Sequence, residues 1–235
     1  MQKRTVHLTF DLERDYAGTG EYIDPPSFEG IKHNVPRVLD EMHEHDASGT
    51  FFLTPEVLAE CEDLVREIRK RNGVGLHSHV HYQPEFRGWE SDGDCLKNYT
   101  PDEKKRMTLR DVERWRDYVG DPSLFRIGRL EPDHTVLKVL SESGCVCDSS
   151  YHRSHYNLFE RVRTRLLYDF REIPVDFHLF GLRLRQLVEK DHSVVLLHPL
   201  TPPGKSSLRI YDEEILMQII RGCPEYYELK GLGET

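Results

Sequence analysis

The sequence predicts an α/β fold with a parallel sheet, and a barrel or incomplete barrel suits it better than an open sheet. Three observations support this. Short apolar runs alternate with amphipathic segments from end to end, with no Gly/Pro/Ser-rich linker between them. Several runs are apolar throughout, Val194-Val195-Leu196-Leu197 being the clearest, as expected of strands covered on both faces. Seven or eight such strands fit within 235 residues, and no Gly-x-Gly-x-x-Gly follows the first, which disfavours a dinucleotide-binding sheet. The same continuity assigns residues 1–235 to one domain.

Val6 to Phe10 reads as the first strand. Ile31, Val35, Val38, Leu39 and Met42 then recur at helical spacing, and Pro36 places the start of regular helix near Asn34. Thr50 to Thr54 is the second strand. Pro55 opens a helix carrying Val57, Leu58, Cys61, Leu64, Val65 and Ile68, closed near Asn72 and Gly73. Val74 to His77 is the third strand, followed by a polar stretch over residues 78–99. Thr100, Pro101 and Glu103 supply an N-cap, an N1 proline and a capping-box acid for a helix reaching about Val119. Leu124 to Ile127 is the fourth strand, Asp133 caps a helix ending at Gly144, and Cys145 to Asp148 is the fifth strand. Arg161 to Leu167 and Glu172 to Phe177 read as extended, Leu182 to Lys190 as helix, and Val194 to His198 as a strong strand. Asp212 to Arg221 reads as helix and Tyr226 to Leu229 as the last strand.

Charge and composition narrow the function. There are 32 Lys plus Arg against 41 Asp plus Glu, a net charge of -9, which argues against nucleic acid or an acidic membrane as partner. The group Arg153, Arg161, Arg163 and Arg165 reads as a charged strand or loop edge. The five cysteines form no regular framework, and Cys145-x-Cys147 lacks the gap of a redox or zinc pair, so buried thiols in a reducing compartment are expected. The N-terminus carries no signal-peptide pattern, and no window approaches the apolar length of an integral membrane segment. A soluble cytoplasmic protein is therefore expected.

The strand ends carry the chemistry. The first runs out in Thr9-Phe10-Asp11-Leu12-Glu13 and the third in His77-Ser78-His79-Val80-His81. The fourth ends in Phe125-Arg126, the fifth in Asp148, and the penultimate in Leu197-His198-Pro199. In a parallel barrel these ends share one rim, the face where substrates bind. Asp11 and Glu13 point to the same side if the chain stays extended. His77 and His81, four apart, suit one metal ion if residues 77–81 make a helical turn, and with a nearby carboxylate they complete the ligand set of hydrolytic zinc sites. Mn, Co or Fe would suit the same atoms. His79, between them, is expected to be a surface or supporting residue.

Taken in order, Thr-Phe-Asp-Leu-Glu, Leu-His-Ser-His-Val-His, Phe-Arg-Ile-Gly, Asp148 and Leu-Leu-His-Pro resemble the five motifs of the polysaccharide deacetylases of the NodB-homology class, carbohydrate esterase family 4. The resemblance implies a distorted or incomplete, TIM-like (β/α) barrel of about seven strands and metal-dependent hydrolysis of an N-acetyl group. It implies that Asp11 is the catalytic base, that Glu13, His77 and His81 hold a divalent metal, most simply Zn2+, and that Arg126 pairs with the base. His198 falls on the general acid and Asp148 on the acid that supports it, with Asp169 and Asp176 as rivals. Two departures stand out: Glu13 replaces the usual Asp, and Ile127-Gly128 replaces proline and an aromatic after Arg126.

The expected substrate is an N-acetylated sugar or glycan precursor, with a homo-oligomer possible. Two other functions remain open, a metal-dependent amidase on a non-sugar amide and a catalytically inactive carbohydrate-binding protein. Tyr82, Phe86, Trp89 and Tyr99 would either stack on a sugar ring or pin a long loop.

Overall fold

The computed structural model describes residues 4–15, 25–79, 96–130, 133–152, 167–168, 170–178, 192–197, 216–217, 219–221, 227–230 and 232. Its strands are β1 (Arg4–Leu12), β2 (Thr50–Leu53), β3 (Gly73–Ser78), β4 (Leu124–Ile127), β5 (Cys147–Asp148), β6 (Arg171–Glu172), β7 (Phe177–His178), β8 (His192–Leu197) and β9 (Tyr227–Lys230). They form one sheet in the order β6-β5-β4-β3-β2-β1-β8-β7, every pairing parallel, with β9 added to β1.

The two end strands are short stretches of a single segment. Arg171 and Glu172 lie against Cys147 and Asp148 of β5, whereas Phe177 and His178 lie against Val195 and Leu196 of β8. Between them the N–H groups of Ile173 and Val175 donate to the carbonyls of Asp148 and Tyr151, both at 2.8 Å, and Asp176 N–H donates to Val194 O at 2.9 Å. The sheet therefore curls back on itself through residues 171–178. Counting that segment once and leaving β9 aside, the nine strands give seven staves of a distorted barrel. Two-residue strands on that side account for the distortion. β9 and β2 lie end to end along β1, β9 beside Arg4–His7 and β2 beside Thr9–Leu12.

Burial on both faces explains the unbroken apolar runs. Val195 and Leu197 belong to the layer between sheet and helices, while Val194 and Leu196 pack inward with Phe52, Leu124 and Val175. Removing each such side chain from water contributes about 1.5–3 kcal/mol, so a strand covered on both sides gains from every residue. On the outer face Phe10 stacks on Phe51, with centroids 4.5 Å apart.

The helices follow the expected order, with three corrections. α1 spans Glu29–Glu44, so it starts five residues before Asn34 and carries Pro36 inside. The carboxylate of Asp15, distant in sequence, accepts the Gly30 N–H at 3.0 Å and the Ser27 hydroxyl at 2.6 Å. This remote cap satisfies the buried Gly30 N–H of the first turn, and burial of Ile31, Val35, Val38 and Met42 offsets the hydrogen bond lost at Pro36. The expected single helix from Pro55 is two, α2 (Pro55–Glu60) and α3 (Glu62–Ile68), divided at Cys61, whose φ of -131° leaves the helical region. α4 (Pro101–Tyr118) has the predicted capping box between Thr100 and Glu103. α5 (His134–Glu142) has Asp133 as its N-cap, with Asp133 Oδ1 accepting Thr135 N–H at 2.9 Å. Leu167, expected to end an extended stretch, is helical. The helix expected over residues 182–190 lies outside the described residues, while residues 216–217 and 219–221 are helical as anticipated.

Candidate metal and catalytic site

Arg126 fills the centre of the barrel. Its side chain is fully buried, its guanidinium lies 4.0 Å above the Phe52 ring, and four of its five N–H groups are used. Nη1 donates to Asp11 Oδ1 at 2.7 Å. Nη2 donates to Thr9 Oγ1 at 3.0 Å and Ser149 Oγ at 2.8 Å, and Nε donates to Ser149 O at 3.1 Å. Thr9 and Asp11 are two apart on β1, so both face inward and one guanidinium reaches both. Burial pushes the Arg126 pKa down and the Asp11 charge pushes it back up. A charge so placed requires a counter-charge, which Asp11 supplies.

Beyond this pair, at the rim, lie Glu13, His77 and His79. All three are buried, and their ligand atoms lie within 4.8 Å of one another. His77 stands beside Arg126 in the β3–β4 register. Its Nδ1 is 2.9 Å from the Arg126 carbonyl. A carbonyl only accepts, so Nδ1 carries the hydrogen and the Nε2 lone pair faces inward. This is the backbone-fixed orientation typical of metal-ligating histidines. Burial pushes the His77 imidazole down to about 4, which keeps it neutral near pH 7. His77 Nε2 lies 3.7 Å from Asp11 Oδ2, so the oxygen of Asp11 that Arg126 does not hold faces the same point. A carboxylate and two imidazoles around one spot form a donor set suited to a divalent ion.

His79 is thus no surface residue. It is 6% exposed, with Nε2 3.1 Å from both His77 Nε2 and Glu13 Oε2. The expectation assumed that the chain turns after His77. Instead β3 continues to Ser78, whose hydroxyl turns outward to donate to Asp111 of α4 at 2.6 Å. Strand alternation then returns His79 to the side of His77. The His-x-His pattern at a strand end was the available signal. His81 and His198 lie outside the described residues.

Asp148 sits one register step from Arg126, paired with Phe125, and is fully buried. Its Oδ1 accepts Ser150 N–H at 2.8 Å, while Oδ2 has no hydrogen-bond partner among the described residues. Burial pushes this carboxyl up to about 7, against the pull of Ser150 and Arg126. Of its rivals, Asp176 accepts Val194 N–H at 2.9 Å at the foot of β8, and Asp169 lies outside the described residues. A second acid–His cluster, Glu41, Glu44 and His45, lies at the C-terminal end of α1, and Arg221 already grips Glu41 through both carboxylate oxygens.

A family model described as polysaccharide deacetylase matches residues 1–147. No curated protein matches the chain. Among solved structures, a Mycobacterium smegmatis protein classed with the polysaccharide deacetylases superposes with a TM-score of 0.65 at 19% identity, covering 99% of this chain and 89% of that one. A polysaccharide deacetylase of Bacillus cereus gives 0.57 at 18% identity, over 99% and 93% of the two chains. A pseudoenzyme of carbohydrate esterase family 4 from Bacillus anthracis gives 0.51 at 15% identity, over 99% and 65%. Similarity at this level establishes the fold.

Proposed function

The chain belongs to the polysaccharide deacetylase family, and on that premise we propose that it is a metal-dependent hydrolase that removes the N-acetyl group of an acetamido sugar or glycan precursor. The observation that carries this reading is the Arg126-anchored Asp11 facing the same buried point as the lone pair of His77. We take residues 1–235 as one domain, Zn2+ as the metal, and the cytoplasm as its compartment.

Glu13, His77 and, by the family resemblance, His81 would hold the ion, and Glu13 is long enough to reach it from the segment after β1. When bound, such an ion lowers the pKa of a water molecule and polarises the acetamide carbonyl. Asp11 takes the water's proton through Oδ2 while Arg126 fixes Oδ1, so the base needs no reorientation during attack. Protonated His198 gives its proton to the nitrogen as the C–N bond breaks, leaving acetate and a free amine. Asp148 supports that imidazole, consistent with its buried Oδ2, which accepts no hydrogen bond among the described residues.

The direct test measures acetate release from a panel of N-acetylated sugars, with and without chelator. Release that stops with chelator and returns with Zn2+ is expected. Activity confined to non-sugar amides would make the protein an amidase, and sugar binding without turnover under any divalent metal would make it an inactive binding module. His198→Ala should lower kcat about 10²- to 10⁴-fold, with metal stoichiometry at wild type by elemental analysis.

Support of His198 by Asp148 predicts a pH signature. Alone, the folded Asp148 keeps its proton up to about pH 7, whereas the unfolded group releases it near its ordinary value of 3.8. The folded state then binds more protons across that interval, so this group makes stability fall as pH rises from about 4 to about 7. An imidazolium partner would lower the Asp148 pKa and flatten the fall. Urea unfolding from pH 4 to 7 should therefore show a steeper loss in His198→Ala than in wild type. The extra Asp148→Asn substitution should remove the difference, and equal slopes in the first two proteins would dissociate Asp148 from His198.

A further inference from the structure

The family motif assigns no role to the residue two positions after its first histidine, yet here that residue sits at the centre of the donor cluster. We infer that His79 is a direct ligand of the metal in this chain, and that Gly128 is the positioning residue that makes room for its ring. This rests on the metal-dependent reading above.

The first argument is hydrogen-bond accounting. His77 Nε2 presents a lone pair, because Nδ1 is committed to the Arg126 carbonyl. Glu13 Oε2 presents another. His79 Nε2 lies 3.1 Å from each. If His79 Nε2 carries a hydrogen, one hydrogen faces two acceptors. If it does not, three lone pairs converge on one buried point, an arrangement that a divalent cation satisfies. The second argument is size. Donors around a tetrahedral zinc ion with bonds of about 2.0–2.1 Å stand about 3.3 Å apart. The two observed separations of 3.1 Å already approach that value. The His77 and His79 rings cross at 79°, so both Nε2 atoms address one centre from different planes.

The third argument explains why this chain can do so. The ring of His79 lies directly on Gly128. A Cβ at residue 128 would fall 2.4 Å from His79 Cε1 and Nε2 and 2.6 Å from Cδ2, which no side chain there could meet without displacing the ring. Gly128 stands where the family motif, by the resemblance, carries an aromatic. The glycine and the histidine are thus complementary, the imidazole from the strand end occupying the space that a side chain at residue 128 would fill.

The experiment titrates Zn2+ and Co2+ into metal-stripped protein, reading affinity by chelator competition and ligand field by the visible absorption of Co2+. Wild type should bind one equivalent. His79→Ala should weaken Zn2+ binding by at least about 100-fold and change both the position and intensity of the Co2+ bands. Gly128→Ala, which keeps every donor residue but displaces the His79 ring, should weaken binding about 10- to 100-fold, as loss of ligand orientation does. His79→Gln gives a polar replacement should His79→Ala fail to fold, and far-ultraviolet circular dichroism of the metal-free proteins checks integrity. If wild type binds metal and releases acetate while the His79 variants keep its affinity within about threefold and its Co2+ spectrum, the inference fails and the deacetylase reading survives. A wild-type protein that takes up neither metal overturns both.

Discussion

Arg126→Met should lower the unfolding free energy by about 3–5 kcal/mol, the usual cost of leaving a buried charge without its partner. The substitution fills much of the same volume with an apolar chain. The loss therefore reports the stranded Asp11 carboxylate and the unanswered acceptors at Thr9 and Ser149, all of which the guanidinium now satisfies. Arg126→Lys should recover little, because an ammonium cannot span Asp11 on β1 and Ser149 beyond β5 with a planar fork. The double variant Asp11→Asn/Arg126→Met should be more stable than Arg126→Met alone, since it removes both charges together. Urea denaturation with an unchanged m-value checks this. A single-variant loss below about 1 kcal/mol would mean that water enters the barrel centre and solvates Asp11.

The fold was legible because strand and site are written in the same residues. Thr9-Phe10-Asp11 places Phe10 outward against Phe51 and the two polar residues inward against Arg126, and that alternation can be read directly from the sequence. The ends of β1, β3 and β4 came together as expected, with Asp11, Glu13, His77 and Arg126 in one constellation. Three features were hidden for different reasons. The start of α1 depends on Asp15, a cap supplied by a residue 15 positions before the Gly30 it serves, which no local pattern reveals. His79 was obscured by a choice of period. Spacing of four suggested a helical turn, whereas β3 stays extended and the period of two governs. The same period of two that sets Asp11 and Glu13 on one side of the extended chain sets His77 and His79 on one side of theirs. The split at Cys61 has no signal in the sequence that would have located it.

Asp11→Asn should reduce kcat about 10²- to 10⁴-fold, the range for losing a positioned general base, while Zn2+ binding stays within a few-fold of wild type. Asparagine keeps an oxygen for Arg126 Nη1 but cannot accept a proton from water through the atom that replaces Oδ2. KM should move little, because the change acts on the proton transfer and not on the sugar. Glu13→Gln makes the contrast: it removes a charged ligand atom from the cluster, so it should lose metal and activity together. The 3.7 Å between Asp11 Oδ2 and His77 Nε2 leaves one competing role, since an oxygen so near the cluster could be drawn onto the ion as a ligand. Metal titration of Asp11→Asn separates the two. Loss of turnover with metal retained identifies a base. A parallel collapse of Zn2+ affinity would make Asp11 a ligand and leave the proton without an acceptor among the residues placed here.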